Sequence, residues 1–138
     1  MSATGDRAAG FTLLETLTVL ALTALISLIA FPSVQRATQA ASLAQARATL
    51  ASDLERARAQ ALRAGAPVVV RIAQDGGGYG WDGGLARRLA GDVRVAASGD
   101  GAVGFYPDAS ARPGTLVLSL GRRSAVVSVA ATGAVTAR

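Results

Sequence analysis

The sequence predicts an α+β protein in which one long N-terminal helix packs on an antiparallel β-sheet domain. Three observations support this fold class. Residues 11–31 are almost wholly apolar, residues 33–64 carry apolar side chains at steps of three and four, and short apolar runs separated by turn residues follow Pro67. The first pattern is typical of a membrane helix, the second of an amphipathic helix and the third of strands.

The composition excludes several kinds of site. The 138 residues include no cysteine and no histidine, and all 14 basic residues are arginine. Without cysteine there are no disulfides and no thiolate metal sites. Without histidine the commonest general base and the commonest metal ligand are missing. The net charge of +5 suits an anionic partner.

Residues 11–32 are predicted to form a transmembrane helix, because about twenty residues with a single charge match the length that crosses a bilayer. A secretory signal peptide predicts a shorter apolar core and a small-x-small cleavage site, which Phe31-Pro32-Ser33 matches poorly. An ordinary signal anchor is the other alternative. Pro32 removes one helical hydrogen bond, so it predicts a kink or, alternatively, the end of the membrane helix.

Glu15 is the single charge in the apolar run. A carboxylate inside a membrane helix costs a few kcal/mol on insertion scales. Two interpretations are open: Glu15 lies near the lipid headgroups and is tolerated there, or it has a partner of opposite charge.

The residues around Glu15 resemble a known signature. The stretch GFTLLE, residues 10–15, resembles the cleavage site of type IV prepilins and type II secretion pseudopilins. The resemblance implies a leader peptide of residues 1–10, cleavage after Gly10 by the prepilin peptidase, and N-methylation of Phe11. It also implies that Glu15 pairs with the N-terminal amine of a neighbouring subunit and so serves subunit assembly.

Residues 33–64 are predicted to continue as an amphipathic helix that packs on a sheet. Gly65 and Pro67 are stop signals. Asp53 and Arg56, three residues apart, are expected to form a weak helix pair. The apolar stripe consists of Leu43, Ala46, Leu50, Leu54, Ala57 and Ala61.

Residues 67–138 are predicted to form the β-domain. The stretch QDGGGYGWDGG is expected to be a loop, followed by a short stretch, residues 85–90. Successive strands with short turns and no helix between them imply antiparallel pairing. The predicted strands are residues 68–72, 92–97, 102–106, 115–120, 124–130 and 134–136.

A second resemblance covers the C-terminal half. The stretch from residue 104 to residue 135 is similar to the C-terminal region of GspH/FimT-type pseudopilins, except that Ala109 stands where the family often has glycine. The matching residues are Phe105, Pro107, Asp108, Ser110 and Gly133.

Together the resemblances imply a pilin-like minor pseudopilin of a type II secretion system, most like the H type. Such a protein is a structural subunit and not an enzyme, and it needs no cofactor. It is held in the bacterial inner membrane by one span, with residues 33–138 in the periplasm. Its partners are other major and minor pseudopilins, the prepilin peptidase and the inner-membrane secretion platform. Its filament drives the export of folded periplasmic proteins.

Two chemical motifs have simpler explanations. Residues 78–83 match G-x-G-x-x-G, but a dinucleotide site needs a βαβ unit around it, so a flexible glycine loop is expected. Aspartates of the turns are expected to be solvated and to bind no metal, although calcium prefers such oxygen ligands. These aspartates are Asp75, Asp82, Asp100 and Asp108.

Two arginine pairs carry the alternative function. Arg87-Arg88 and Arg122-Arg123 are predicted to be exposed, and arginine can contact phosphate. The alternative is therefore a FimT-type minor type IV pilin that binds DNA for natural transformation. The Gly-Arg-x-Arg pattern of DNA-binding relatives is absent from the C-terminal stretch, and solvated turn charges also explain these arginines.

Overall fold

The computed structural model describes residues 12–84, 86–99 and 101–138. The predictions for Gly10, Phe11 and Asp100 lie outside the described residues. Contacts along the chain group it into two units, a first that ends at Ala37 and a second from Thr38 to Arg138.

A single helix runs through most of the N-terminal half. Helix α1 extends from Leu13 to Ala64, and its 52 residues include Pro32. The alternative that the helix ends at Pro32 is therefore wrong. Gly65 ends α1 with φ of 62°, a left-handed conformation that glycine adopts without steric cost.

The strands all belong to the second unit and form two antiparallel sheets. One sheet has the order β3-β2-β1-β5-β6, and the other has the order β4-β7-β8-β9. The predicted antiparallel β-domain is confirmed. The strands are β1 Val68–Ile72, β2 Gly78–Gly80, β3 Ala86–Arg88, β4 Arg94–Ala97, β5 Ala102–Phe105, β6 Ala111–Arg112, β7 Gly114–Leu120, β8 Arg123–Val129 and β9 Val135–Ala137.

Strand β2 corrects the prediction of a flexible glycine loop. Gly78–Gly80 pairs with β1 on one side and with β3 on the other. A Cβ atom added to Gly78 would lie 2.6 Å from the carbonyl oxygen of Arg87. The close approach of β3 therefore requires glycine at position 78, although glycine is generally unfavourable in strands. Strand β3, within the short stretch of residues 85–90, and the two-residue strand β6 are also absent from the predicted strands.

The core of the second unit lies between α1 and the sheets, as the apolar stripe predicts. Leu50, Leu54, Ala57 and Ala61 are fully buried, and Leu43 is nearly so, whereas Ala46 is half-buried. The strands contribute alternate residues to the same core, as expected when one face of a sheet is covered. Their largest fully buried side chains are Phe105, Leu116, Leu118, Val70, Val103 and Val127.

Candidate functional site

The first turn of α1 contains Glu15 and is closed by Thr12. The Glu15 amide donates a hydrogen bond of 3.2 Å to Thr12 Oγ1. Thr12 is thus the N-cap, and a glutamate three residues later completes the T-x-x-E pattern of a capping box. A negative charge in the first turn also interacts favourably with the helix dipole. The T-x-x-E spacing is visible in the sequence, and it gives Glu15 a local role in addition to the one that the resemblance implies.

The side-chain hydroxyl groups in and directly after the apolar segment bond to the backbone of their own helix. An 18-residue window of α1 has a mean hydropathy of 2.2 with none of its residues buried, so the helix is long and apolar enough to span a membrane. Hydroxyl groups within the segment donate to carbonyl oxygens three or four residues earlier, which suits surroundings without water. The donors are Thr16, Thr18, Thr23, Ser27 and Ser33.

Glu15 differs from these hydroxyl groups. Within the part of the chain that the structure describes, its carboxylate forms none of the ion pairs.

A second carboxylate of α1, Asp53, has the opposite environment. Asp53 is 1% exposed. Its Oδ2 accepts hydrogen bonds from Tyr79 Oη at 2.8 Å and from Arg87 Nε at 2.7 Å, and its Oδ1 accepts one from Arg56 Nη1 at 3.0 Å. We call these four residues the Asp53 cluster. The predicted pair with Arg56 exists, but it is the outer part of a buried network that ties α1 to β2 and β3.

The Asp53 cluster stabilises the protonated forms of its donors. Burial of the Tyr79 phenol, with its hydrogen bond to Asp53 and the charge of that carboxylate, raises the pKa of Tyr79 well above its usual range. The hydrogen bond to Asp53 and the charge of Asp53 also raise the pKa of Arg87. The phenol and the guanidinium therefore remain donors at any physiological pH.

In the sequence, one feature indicates this network: a charged residue on the apolar face of α1. Asp53 stands three residues after Leu50 and four before Ala57, so it lies on the buried face of α1. A buried carboxylate needs partners. The identity of those partners, 26 and 34 residues further along the chain, depends on how the sheet is paired.

The predicted arginine pairs occupy different environments. The prediction that Arg87 is exposed is wrong, because its guanidinium is half-buried and hydrogen-bonded to Asp53. Arg88 is 86% exposed and pairs with Asp75 at 3.4 Å. Arg122 and Arg123 are exposed at the turn between β7 and β8. Anion or DNA contact by any of the four stays a prediction.

The turn after β5 contains Pro107, Asp108 and Ser110 of the second resemblance. Asp108 Oδ1 accepts hydrogen bonds from Ser110 Oγ at 2.6 Å and from the Ser110 amide at 3.0 Å, and these two bonds lower the pKa of Asp108. Ala109 adopts a left-handed conformation with φ of 70°. A glycine there would have no such strain. The described residues include no group of three acidic side chains placed to hold a metal.

Comparisons with known proteins agree with this architecture. The family model described as type II transport protein GspH matches residues 45–133, and the model of the prokaryotic N-terminal methylation motif matches residues 5–31. A search of curated proteins gave no significant match.

Two solved structures share the fold. The type IV minor pilin FimU of Pseudomonas aeruginosa (strain PAO1) is 16% identical and has a TM-score of 0.59, with 73% of this chain and 91% of FimU covered. The minor pseudopilin EpsH from the Type 2 Secretion System of Vibrio cholerae is 13% identical and has a TM-score of 0.58, with 70% and 96% covered. Because the GspH model matches more than half of the sequence, this chain belongs to the GspH family of pilin-like minor pseudopilins.

Proposed function

We propose that the protein is a minor pseudopilin of a type II secretion pseudopilus, a filament that drives the export of folded periplasmic proteins. Residues 1–10 are its leader peptide, residues 11–32 its single span of the inner membrane, and residues 33–138 its periplasmic domain. The prepilin peptidase cleaves after Gly10 and methylates Phe11. The observation that carries the proposal is the combination of a GspH-type domain with an apolar, methylation-motif segment whose one charge forms no ion pair among the described residues.

Glu15 has a defined role in this proposal. An intramembrane carboxylate is best stabilised by an opposite charge, and the new α-amine of Phe11 in a neighbouring subunit is such a charge. Pairing of the two groups sets the register in which one apolar helix docks beside another. The other major and minor pseudopilins and the secretion platform are then the partners of the apolar segment.

Three variants separate this role from helix capping. Glu15→Gln removes the charge but keeps the capping box, because glutamine serves at the same position. Thr12→Ala removes the cap and keeps the charge. Glu15→Leu removes both the charge and the side-chain half of the capping box.

The assay is crosslinking of each variant to its partner pseudopilins in membranes, with total membrane-inserted protein as the reference. Without the Glu15 carboxylate, the α-amine of the neighbouring subunit stays buried and unpaired, which costs about 3 to 5 kcal/mol. Glu15→Gln and Glu15→Leu are therefore expected to reduce incorporation at least a hundredfold. Thr12→Ala should assemble normally. Normal assembly of Glu15→Gln with failure of Thr12→Ala would show that Glu15 acts only as a cap.

Processing is tested separately. Mass spectrometry of the membrane-extracted protein is expected to show a chain that starts at methylated Phe11. A mature chain that starts near Ser33, or an uncut chain in a host with an active prepilin peptidase, contradicts the proposal.

The alternative of a DNA-binding minor type IV pilin has less support. Of the four arginines on which it depends, Arg87 is bonded to Asp53 and Arg88 is paired with Asp75. Salt-sensitive DNA binding that disappears in the Arg122→Gln, Arg123→Gln double variant would favour the alternative. Copurification with other pseudopilins would favour the secretion role.

A further inference from the structure

The turn between β7 and β8 lies beside residues 40–47 of α1, near the start of the second unit. A groove of about 270 Å³ there is lined by Leu43 and small residues of α1 and β8, and by Arg47 and Arg123. Arg122 precedes Arg123 in the turn and is exposed. We call Arg47, Arg122 and Arg123 the turn cluster.

The charges of the turn cluster are not neutralised within the described chain. None of its three arginines takes part in the ion pairs of the described residues, in contrast to Arg88. No carboxylate lines the groove itself. The turn cluster therefore carries three guanidinium groups without a carboxylate in the groove. Such a surface attracts a partner with several negative charges.

The position of the turn cluster along the chain limits what that partner can be. The α1 residues of the groove begin at Ala40, nine residues after Phe31, the last apolar residue of the segment. Nine residues span at most about 30 Å even when fully extended. If residues 11–32 cross a membrane, the first residue of the groove thus stays within about 30 Å of that membrane's surface however the two units are arranged.

We propose that the turn cluster binds the phosphate groups of anionic phospholipids in the membrane that holds the N-terminal helix. The small side chains of Ala40, Ala44 and Ala125 leave room for a headgroup between Arg47 and Arg123. Guanidinium groups bind phosphate oxygens with paired, charge-assisted hydrogen bonds. The inference rests on the proposed membrane insertion of the apolar segment, and it adds a second, reversible attachment of the periplasmic domain.

The absence of cysteine makes a direct test possible. The full chain carrying Ser124→Cys receives one environment-sensitive fluorophore at the turn, and a second protein labelled through Thr132→Cys reports on the opposite end of β8. Each is reconstituted in phosphatidylcholine vesicles with or without about one third phosphatidylglycerol. A nitroxide on the headgroup of a trace lipid quenches any fluorophore that reaches the surface. Flotation of the vesicles confirms insertion in every sample.

The expected result is that phosphatidylglycerol increases quenching of the label on the Ser124→Cys protein and not of the label on the Thr132→Cys protein. Each of Arg47→Gln, Arg122→Gln and Arg123→Gln should weaken the surface-bound population about fivefold, from roughly 1 kcal/mol for each basic residue at an anionic surface. Salt at about 1 M should abolish the difference by screening. Arg88→Gln is the matched control, and it should leave the quenching unchanged.

Several outcomes overturn the inference. Quenching that does not depend on phosphatidylglycerol, or that Arg88→Gln reduces as much as Arg123→Gln, rules out a lipid site at the turn cluster. Binding of duplex DNA that requires Arg122 and Arg123, without any lipid effect, reassigns the cluster to nucleic acid. A chain that fails to float with vesicles instead contradicts the proposed membrane insertion, so the two failures are distinguishable.

Discussion

Replacing Asp53 by asparagine is expected to destabilise the second unit far more than a surface carboxylate would. The substitution preserves the size of the side chain but removes its charge. Arg87 and Arg56 then lose their counter-charge, and an amide NH₂ group faces donors at close range. Tyr79 Oη and Arg87 Nε lie 2.8 Å and 2.7 Å from Asp53 Oδ2 in the native protein, which leaves no space for an added water molecule.

The magnitude follows from the exposure of the partners. Breaking a fully buried ion pair costs about 3 to 5 kcal/mol, because the remaining charge stays uncompensated. Here the Arg87 side chain is 36% exposed and Arg56 is 64% exposed, so water partly replaces the lost carboxylate. We therefore expect Asp53→Asn to lower the free energy of unfolding by about 2 to 3 kcal/mol. For a unit of about a hundred residues this lowers Tm by about 10 to 20 °C.

Trp81 provides the assay, because it is the only tryptophan and lies in the second unit. Denaturant and thermal unfolding of the detergent-solubilised chain, followed by its fluorescence, give the free energy. Glu55→Gln is the matched control: it makes the same chemical change in the same helix, but Glu55 is half exposed and its contact with Arg58 is 3.8 Å long. An exposed pair contributes about 0 to 1 kcal/mol. Equal effects of Asp53→Asn and Glu55→Gln would refute the structural role of the cluster.

Three further variants test other local features. Ala109→Gly should raise the free energy of unfolding by about 0.5 to 1 kcal/mol. The left-handed conformation of Ala109 costs more free energy than the extra conformational entropy of glycine in the unfolded chain. Unchanged or lower stability would contradict strain at Ala109. Gly84→Ala should shift the Trp81 emission to the red, because a Cβ there overlaps the indole and breaks its 2.8 Å bond to Gln60; an unchanged spectrum contradicts that packing. Because the pKa of Tyr79 is raised from 10.0, its contribution is complete below pH 10 and is lost as pH rises further. Tyr79→Phe should therefore flatten the alkaline fall in stability, and an unchanged slope would contradict this origin.

The helix and most strands could be predicted because their signals are local. The stripe from Leu43 to Ala61 repeats with the helical period, and in β7 and β8 buried residues alternate with more exposed ones. Strand β2 could not be predicted, because its glycines have low strand propensity and only the neighbouring β3 explains them. Alternation also shows which residues of a strand face inward, but not which of two sheets the strand joins.

The candidate site divides in the same way. The signature GFTLLE is local, so the sequence alone is enough to single out Glu15. The Asp53 cluster depends on residues from three separate elements, so sequence could reveal its buried carboxylate but not Tyr79 or Arg87 as partners. The loop after β2 is similar, since Gln60 of α1 accepts a hydrogen bond from Trp81 and donates one to the Gly83 carbonyl.

Two of the three carboxylates of α1, Glu15 and Asp53, show how local and distant partners separate stability from assembly. Asp53 has all its partners inside the chain, so Asp53→Asn should lower the free energy of unfolding. The apolar segment does not contain Asp53, so it should be unchanged in any protein that remains folded. Glu15 has only its N-cap among the described residues, so its amide variant should leave the unfolding of the second unit unchanged. The same chemical change in one helix is thus expected to lower Tm at one position and incorporation into the filament at the other. A lowered Tm for Glu15→Gln would mean that its carboxylate has a partner within the chain, and the proposed pairing between subunits would then lose its basis.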